Sequence, residues 1–93
     1  MNLRQLRSLR AIYQQGSFAA AGDQIGLSHA AVSMQMHQLE STLGVELFDR
    51  SSRPVGLTAE GIRIAHIAGE VMDKLENIKQ VAGGADTLGS ISM

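Results

Sequence analysis

Two groups of residues have the types that enzymes use for catalysis. The stretch GLSHA, residues 26–30, places a serine beside a histidine and approaches the G-x-S-x-G pattern of a nucleophilic serine. That pattern requires a preceding strand, a large parallel sheet, and a triad aspartate and histidine elsewhere, none of which fits this sequence. The histidines His29, His37 and His66 lack metal-ligand spacing, and glycine patterns that cradle phosphate are absent. We therefore predict no enzyme activity, no metal site and no cofactor in this chain.

Nucleic-acid binding is the remaining chemistry, and it depends on where the basic residues lie. The chain has a net charge of −1. Residues 1–57 carry five arginines against four acids, whereas residues 58–93 carry three bases against five acids. The basic character is therefore local and weak, and the overall charge neither demands nor forbids a nucleic-acid partner.

Length and composition limit the protein to one small domain. A chain of 93 residues closes about one hydrophobic core. The apolar fraction is 44% but aromatic residues make up only 3%, so aliphatic residues and methionine must form the core, which favours helices. Cysteine is absent, which excludes disulfide bonds and thiolate metal sites. No apolar run reaches membrane-spanning length and the N-terminus is unlike a signal peptide, so we predict a cytoplasmic protein without a membrane partner.

Apolar residues at helical spacing predict three helices in the first half of the chain, each followed by a glycine. The first runs over about residues 3–15. Ser17 is a good N-cap for a second, short helix, and Ser28 caps a third helix that continues to about Leu43. Two helices joined by a tight, glycine-containing turn are typical of a helix-turn-helix motif.

The third helix has a buried face and an outward face when its residues are placed at intervals of about 100°. The buried face consists of Val32, Met36, Leu39 and Leu43. The outward face consists of Ala30, Ser33, Met34 and His37. Met36 is interpreted as a core residue. Met34 has two open interpretations, an idle surface residue or an apolar contact to a thymine methyl group, and His37 is equally a solvated residue or a phosphate contact.

Residues 44–61, GVELFDRSSRPVGLTAEG, contain two short apolar pieces on either side of a polar, basic tip at 49–54. This pattern predicts a two-stranded hairpin, here called the wing. Pro54 cannot donate to a strand ladder, so the strands should be short and lie at an edge.

Thr58 is expected to cap a long fourth helix over about residues 59–82. Its apolar stripe is too long for so small a core, so we predict that the same helix of a second chain covers it. The predicted dimer interface consists of Ile64, Ile67, Ala68, Val71, Leu75 and Ile78. The alternative is that the helix folds back over its own domain.

The last residues, GGADTLGSISM at 83–93, begin with a glycine pair and end in an alternating apolar pattern. We interpret them as a hinge followed by the first residues of a strand from a missing domain. The predicted organisation is a winged helix-turn-helix unit at 1–58, a dimerisation helix at 59–82 and this hinge segment at 83–93.

The ordered motifs resemble the N-terminal domain of LysR-type transcriptional regulators over about residues 1–82. The motifs are Leu3 and Leu6 in the first helix, GSFAAAGDQIGLS at 16–28, AVSMQMHQLE at 31–40, LGVELFDR at 43–50 and LTAEG at 57–61. The resemblance implies a mainly α winged helix-turn-helix fold, a linker helix that dimerises antiparallel to its mate, and a tetramer for the full-length regulator. It also implies a C-terminal domain, outside this chain, that senses a small-molecule effector.

The resemblance assigns base contacts in the major groove to the start of the third helix. The residues concerned are His29, Ala30, Ser33 and Met34. The common family pattern has glutamine at the first of these positions, proline or serine at the second, and arginine or another polar residue at the last. This sequence therefore lacks the bidentate donors, although His29 and Ser33 can hydrogen-bond to base edges and Ala30 and Met34 can contact methyl groups.

Attraction to the phosphate backbone must come largely from outside the third helix. The first turns after Ser17 and Ser28 offer free backbone N–H groups to phosphate oxygens. The resemblance puts Arg53 at the minor groove. Arg50 is predicted to brace the wing against an acid.

The sequence thus predicts a transcriptional regulator domain that binds promoter double-stranded DNA sequence-specifically, as a dimer or higher oligomer. The third helix, 29–43, lies in the major groove and the wing, 49–54, at the minor groove. The alternative is a winged-helix module that binds proteins and not DNA, which the exposed Met34 and the acidic second half favour.

Overall fold

The computed structural model describes residues 1–87 and shows four helices and one hairpin in that part of the chain. The elements are α1 (Leu3–Gln15), α2 (Phe18–Ile25), α3 (His29–Leu43), β1 (Phe48–Asp49), β2 (Gly56–Leu57) and α4 (Ala59–Thr87). The order is the predicted one, and the first three helices have the predicted bounds. Among the described residues, no helix combines the length and the apolar character needed to cross a bilayer.

Local capping explains where the first three helices begin and end. Asn2 and Gln5 form a capping box, with reciprocal side-chain to backbone bonds of 2.9 and 3.0 Å. Ser17 and Ser28 cap α2 and α3, as predicted, by accepting from backbone N–H groups at 3.0 and 3.1 Å. Each of these helices ends on a glycine in the left-handed region, where a side chain would be strained.

The core lies between the first three helices, the base of the wing and the start of α4. Its largest fully buried apolar side chains are Phe48, Leu9, Met36, Leu39, Leu47 and Val32. The predicted buried face of α3 is therefore confirmed, except that Leu43 is only half-buried. Ser8 of α1 is also fully buried, and its hydroxyl donates to the side-chain oxygen of Gln35 in α3. This polar contact fixes how α1 crosses the helix that carries the candidate site.

The wing is a short antiparallel hairpin with Phe48 opposite Leu57 and Asp49 opposite Gly56. Each strand has two residues, so the strands are short, as the position of Pro54 predicted. Phe48 is 1% exposed and attaches the first strand to the core.

The start of α4 is attached to the wing through Thr58. The Thr58 hydroxyl donates to the Glu46 carbonyl at 2.7 Å and accepts from the Gly61 N–H at 2.9 Å, which is the predicted cap. A Cβ on Gly61 would lie 2.2 Å from the carbonyl oxygen of Leu47. Only glycine therefore allows α4 to pass this close to the backbone that leads into the wing.

The fourth helix continues past its predicted end at residue 82, since the chain is helical through Thr87, the last residue described. Gly83 and Gly84 lie inside it, because a glycine costs a helix only about 1 kcal/mol relative to alanine and still supplies its N–H donor, which proline does not. Residues 83–87 of the predicted hinge are thus helical. The predicted strand start, at 88–93, lies outside the described residues.

The α1 helix packs along α4 and covers one edge of the predicted apolar stripe. An ion pair joins Arg10 to Asp73 at 3.6 Å. The Nε2 atom of His66 lies 2.8 Å from the Tyr13 hydroxyl, and the two rings meet edge to face. These contacts orient α4 on its own domain.

Two of the six residues of the predicted dimer interface pack within their own domain. Ala68 is 1% exposed in the single chain, and Ile64 packs against the core of its own domain. The reason is that the small side chains on this edge of α4 allow close packing within the chain, so the alternative of folding back holds for this part of the stripe. Val71 and Leu75 are half-buried, whereas Ile67 and Ile78 remain exposed.

Candidate nucleic-acid interface

The exposed side of α3 carries the residues predicted to meet base edges. His29, Ala30, Met34 and His37 are exposed, and Ser33 is half-buried. Met34 is 60% exposed, so its side chain is available to a partner. The structure therefore gives the two methionines of α3 opposite environments, since Met36 is fully buried.

Ser17 and Ser28 act in the structure as helix caps. Each hydroxyl accepts a backbone N–H three residues later, from Ala20 and Ala31 respectively. Capping in this geometry leaves the N–H groups of the first two residues of each helix available to another acceptor. The two serine hydroxyls are therefore occupied as caps. An anion can approach the backbone N–H groups beside them.

Phe18 connects the first turn of α3 to the wing, a role that the sequence did not indicate. Its ring centroid lies 5.6 Å from that of His29 and 4.9 Å from that of Phe48, both edge to face. Such contacts stabilise aromatic pairs by about 0.5–1.5 kcal/mol beyond their burial. The His29 ring is thus held at the start of α3 by a residue of α2 that itself packs on the wing.

Glu40, near the end of α3, is the acid that Arg50 braces against. The two side chains form an ion pair with 3.1 Å between Arg50 Nη2 and Glu40 Oε1. The carboxylate also accepts the backbone N–H groups of Leu47 at 2.8 Å and Phe48 at 3.2 Å. The predicted brace is confirmed, and the sequence could have named this partner because Glu40 is the sole acid in helix 29–43.

The pKa of the Glu40 carboxyl is lowered from its ordinary value of 4.5. Burial alone would raise this pKa, but the hydrogen bonds from Arg50 and from two backbone N–H groups outweigh burial. At the wing tip, hydrogen bonds from the hydroxyl and the N–H of Ser51 lower the pKa of Asp49. Both carboxylates are therefore ionised at neutral pH and organise the wing.

Arg53 lies exposed at the wing tip. Its guanidinium donates to the carbonyl oxygens of Arg50 and of Ser52, the latter at 3.0 Å. These bonds use one guanidinium nitrogen, Nη1. An arginine in this position presents its charge at the edge of the wing.

One groove brings part of the predicted site together, between the start of α2, the start of α3 and the wing. Its lining includes Ser17, His29, Ser33, Arg50 and Arg53. His37 instead lines a second depression on the other side of the brace, with its Nδ1 atom 3.9 Å from Glu40.

Helices α2 and α3 joined by a tight turn, on a helical core with a hairpin after α3, define a winged helix-turn-helix domain. Residues 3–62 match the family described as bacterial regulatory helix-turn-helix protein, lysR family. The match covers most of the chain, and the protein therefore belongs to the LysR family of transcriptional regulators.

Similar proteins agree with this assignment. The transcriptional regulator CfxR of Cupriavidus necator is 39% identical over 99 aligned residues, which cover 99% of this chain and 31% of CfxR. The RuBisCO operon transcriptional regulator of Allochromatium vinosum is 36% identical over 81 residues, which cover 87% of this chain and 27% of that protein. The chain thus spans about a third of the length of these relatives.

Solved structures of LysR DNA-binding domains have the same fold. The BenM_DBD/catB site 1 DNA complex superposes with a TM-score of 0.85 and 30% identity, covering 92% of this chain and 96% of that one. The CbnR_DBD–DNA complex superposes with a TM-score of 0.81 and 31% identity, covering 92% of this chain and 99% of that one. These matches confirm the predicted family and the predicted mainly α winged-helix fold class.

Proposed function

We propose that this chain binds promoter double-stranded DNA sequence-specifically, with α3 in the major groove and the wing at the minor groove. The observation that carries the proposal is the common surface formed by the exposed side of α3, the first turn of α2 and the tip of the wing. Similar structures solved as DNA complexes support it. Such a protein acts in the cytoplasm of a bacterium.

Attraction to DNA in this proposal depends on few charges. The first turns of α2 and α3 bind phosphate oxygens through backbone N–H groups, and Arg53 supplies a guanidinium at the minor groove. Ser17 and Ser28 hold these turns in place as caps, and His37 adds a phosphate contact. The residues that face the bases are His29, Ala30, Ser33 and Met34. Each subunit neutralises few phosphates, so a single domain binds weakly.

Dimerisation through α4 supplies the missing affinity by joining two such domains. The exposed residues Ile67, Ile78 and Val81, with the half-buried Val71 and Leu75, form the apolar surface available to a second α4. Two copies then present their α3 helices to successive major grooves. In a longer form of the protein, further contacts form a tetramer and an additional domain binds a small-molecule effector.

Fluorescence anisotropy with a labelled pool of random-sequence duplexes tests the proposal. Binding that weakens steeply with added salt, together with enrichment of particular sequences after repeated selection, is the expected result. The same preparation is measured by light scattering to establish its oligomeric state. A verified dimer that leaves the anisotropy unchanged at low salt would exclude DNA binding and favour the protein-interaction module.

A further inference from the structure

The candidate recognition helix has an exposed face that carries an apolar side chain and no lysine or arginine. Met34 is 60% exposed near the centre of this face, and Ala30 is exposed one turn before it. The sequence of α3, HAAVSMQMHQLESTL, contains no lysine or arginine. Its sole acid, Glu40, is paired with Arg50 and is not free to accept from a base.

Each base in the major groove is best recognised by a different type of side chain. Guanine is best recognised by arginine or lysine, and adenine by the amide of asparagine or glutamine. The amide oxygen of Gln35 accepts from Ser8, and Gln38 lies one turn beyond Met34. The thymine C5-methyl group is the base feature that an apolar side chain such as Met34 or Ala30 matches.

We propose that Met34, together with Ala30, recognises thymine methyl groups, so that thymines opposite the first two turns of α3 specify the half-site. This inference rests on the proposed DNA binding. The thioether of methionine is flexible and polarisable, which suits contact with a small methyl group whose position varies between base steps. His29, held by Phe18, and Ser33 supply the hydrogen bonds that fix the register.

The test replaces thymine by uracil, which has the same pairing edge and lacks only the methyl group. Duplexes are first enriched from a random pool with the 93-residue chain, and each thymine of the enriched site is then replaced singly by deoxyuridine. At one or two positions per half-site, the wild-type Kd should rise by about fourfold, the value expected for loss of one buried methyl group. Met34→Ala should bind thymine and uracil duplexes equally at a position where the wild type discriminates.

Two variants serve as controls, and circular dichroism verifies that each is folded. Met34→Leu keeps an apolar side chain and should keep the preference for thymine over uracil. Gln38→Ala removes an exposed polar residue one turn away and should leave this preference unchanged, whatever its effect on total affinity. Enrichment without any effect of uracil, or a Met34→Ala variant that keeps the wild-type thymine preference at every discriminating position, would overturn the inference while DNA binding stands. Failure to enrich any duplex would instead overturn the proposed function.

Discussion

The carboxylate of Glu40 and the guanidinium of Arg50 are 3.1 Å apart and connect the end of α3 to the first strand of the wing. Glu40 also accepts from the N–H groups of Leu47 and Phe48, so one carboxylate accepts from both the backbone and the side chain of the wing. This carboxylate therefore links the wing to α3, beside the packing of Phe48 in the core.

Replacing Glu40 and replacing Arg50 by alanine should have unequal effects on the free energy of unfolding. Glu40→Ala leaves backbone donors without their acceptor and should lower the free energy of unfolding by about 2–3 kcal/mol. Arg50→Ala removes a partly exposed charge and should cost about 1 kcal/mol or less. Urea unfolding measures both. Glu76→Ala, which breaks an exposed pair with Lys79, is the matched control and should change stability by less than about 0.5 kcal/mol. Equal losses for Glu40→Ala and Arg50→Ala would show that the backbone bonds contribute little.

Stability should fall at acid pH because of the same carboxylate. The folded pKa of Glu40 lies below its ordinary value of 4.5, so the unfolded chain takes up a proton first as the pH falls. The contribution is complete above 4.5 and is lost as the pH falls through the folded pKa. Thermal unfolding of the wild type and of Glu40→Gln should therefore differ most near neutral pH and converge under acid conditions. A difference that is independent of pH would contradict the role of the ionised carboxylate.

Gly61 should be essential for the packing of α4 against the wing. Gly61→Ala places a Cβ against the carbonyl oxygen of Leu47, a backbone atom that cannot move away, and should cost more than about 2 kcal/mol. Gly69→Ala is the control, because the nearest atom to its Cβ is Arg10 Nε at 3.9 Å. That variant should be neutral or stabilised by up to about 1 kcal/mol, the helix-propensity gain of alanine. Denaturant unfolding of both variants separates the steric effect from propensity.

Arg53→Ala should weaken DNA binding and also reduce its dependence on salt. Loss of one phosphate or minor-groove contact should lower the slope of log K against log salt by about one per subunit. Lys79→Ala removes an exposed charge far along α4 and should leave that slope unchanged. Anisotropy titrations over a range of salt concentrations measure both slopes. The same slope for Arg53→Ala and the wild type would place the arginine away from the DNA.

Ile78→Asp should prevent dimerisation without unfolding the domain, because Ile78 is 65% exposed in the single chain. The charged residue makes burial against a second α4 costly. Gln80→Asp introduces the same charge at an exposed position outside the stripe and should leave the oligomeric state unchanged. Sedimentation velocity distinguishes monomer from dimer. A dimer that persists in Ile78→Asp would show that this surface is not the interface.

Local chemistry explains why the first three helices could be placed from the sequence. Ser17 and Ser28 cap within three residues, and the buried positions Val32, Met36 and Leu39 follow from the helical period alone. The wing was also predictable as a short hairpin, because its two apolar pieces and the polar tip between them are close together in the sequence. The family followed from the order of these motifs.

Contacts between elements could not be predicted in the same way. The role of Phe18 depends on the meeting of α2, α3 and the wing, and the burial of Ala68 depends on how α1 crosses α4. The apolar stripe of α4 indicated that this face of the helix is buried. It did not indicate whether the same chain or a second chain covers it. The glycine pair at 83–84 indicated a break, whereas an established helix continues through it.

The unbroken course of α4 from Ala59 to Thr87 has a geometrical consequence. A helix of 29 residues is about 44 Å long, and backbone hydrogen bonds close each of its turns. Thr58 and Gly61 fasten one end of it to the wing. The direction of the chain at Thr87 is therefore set by the same continuous helix that is attached to the wing, and the glycine pair does not redirect it.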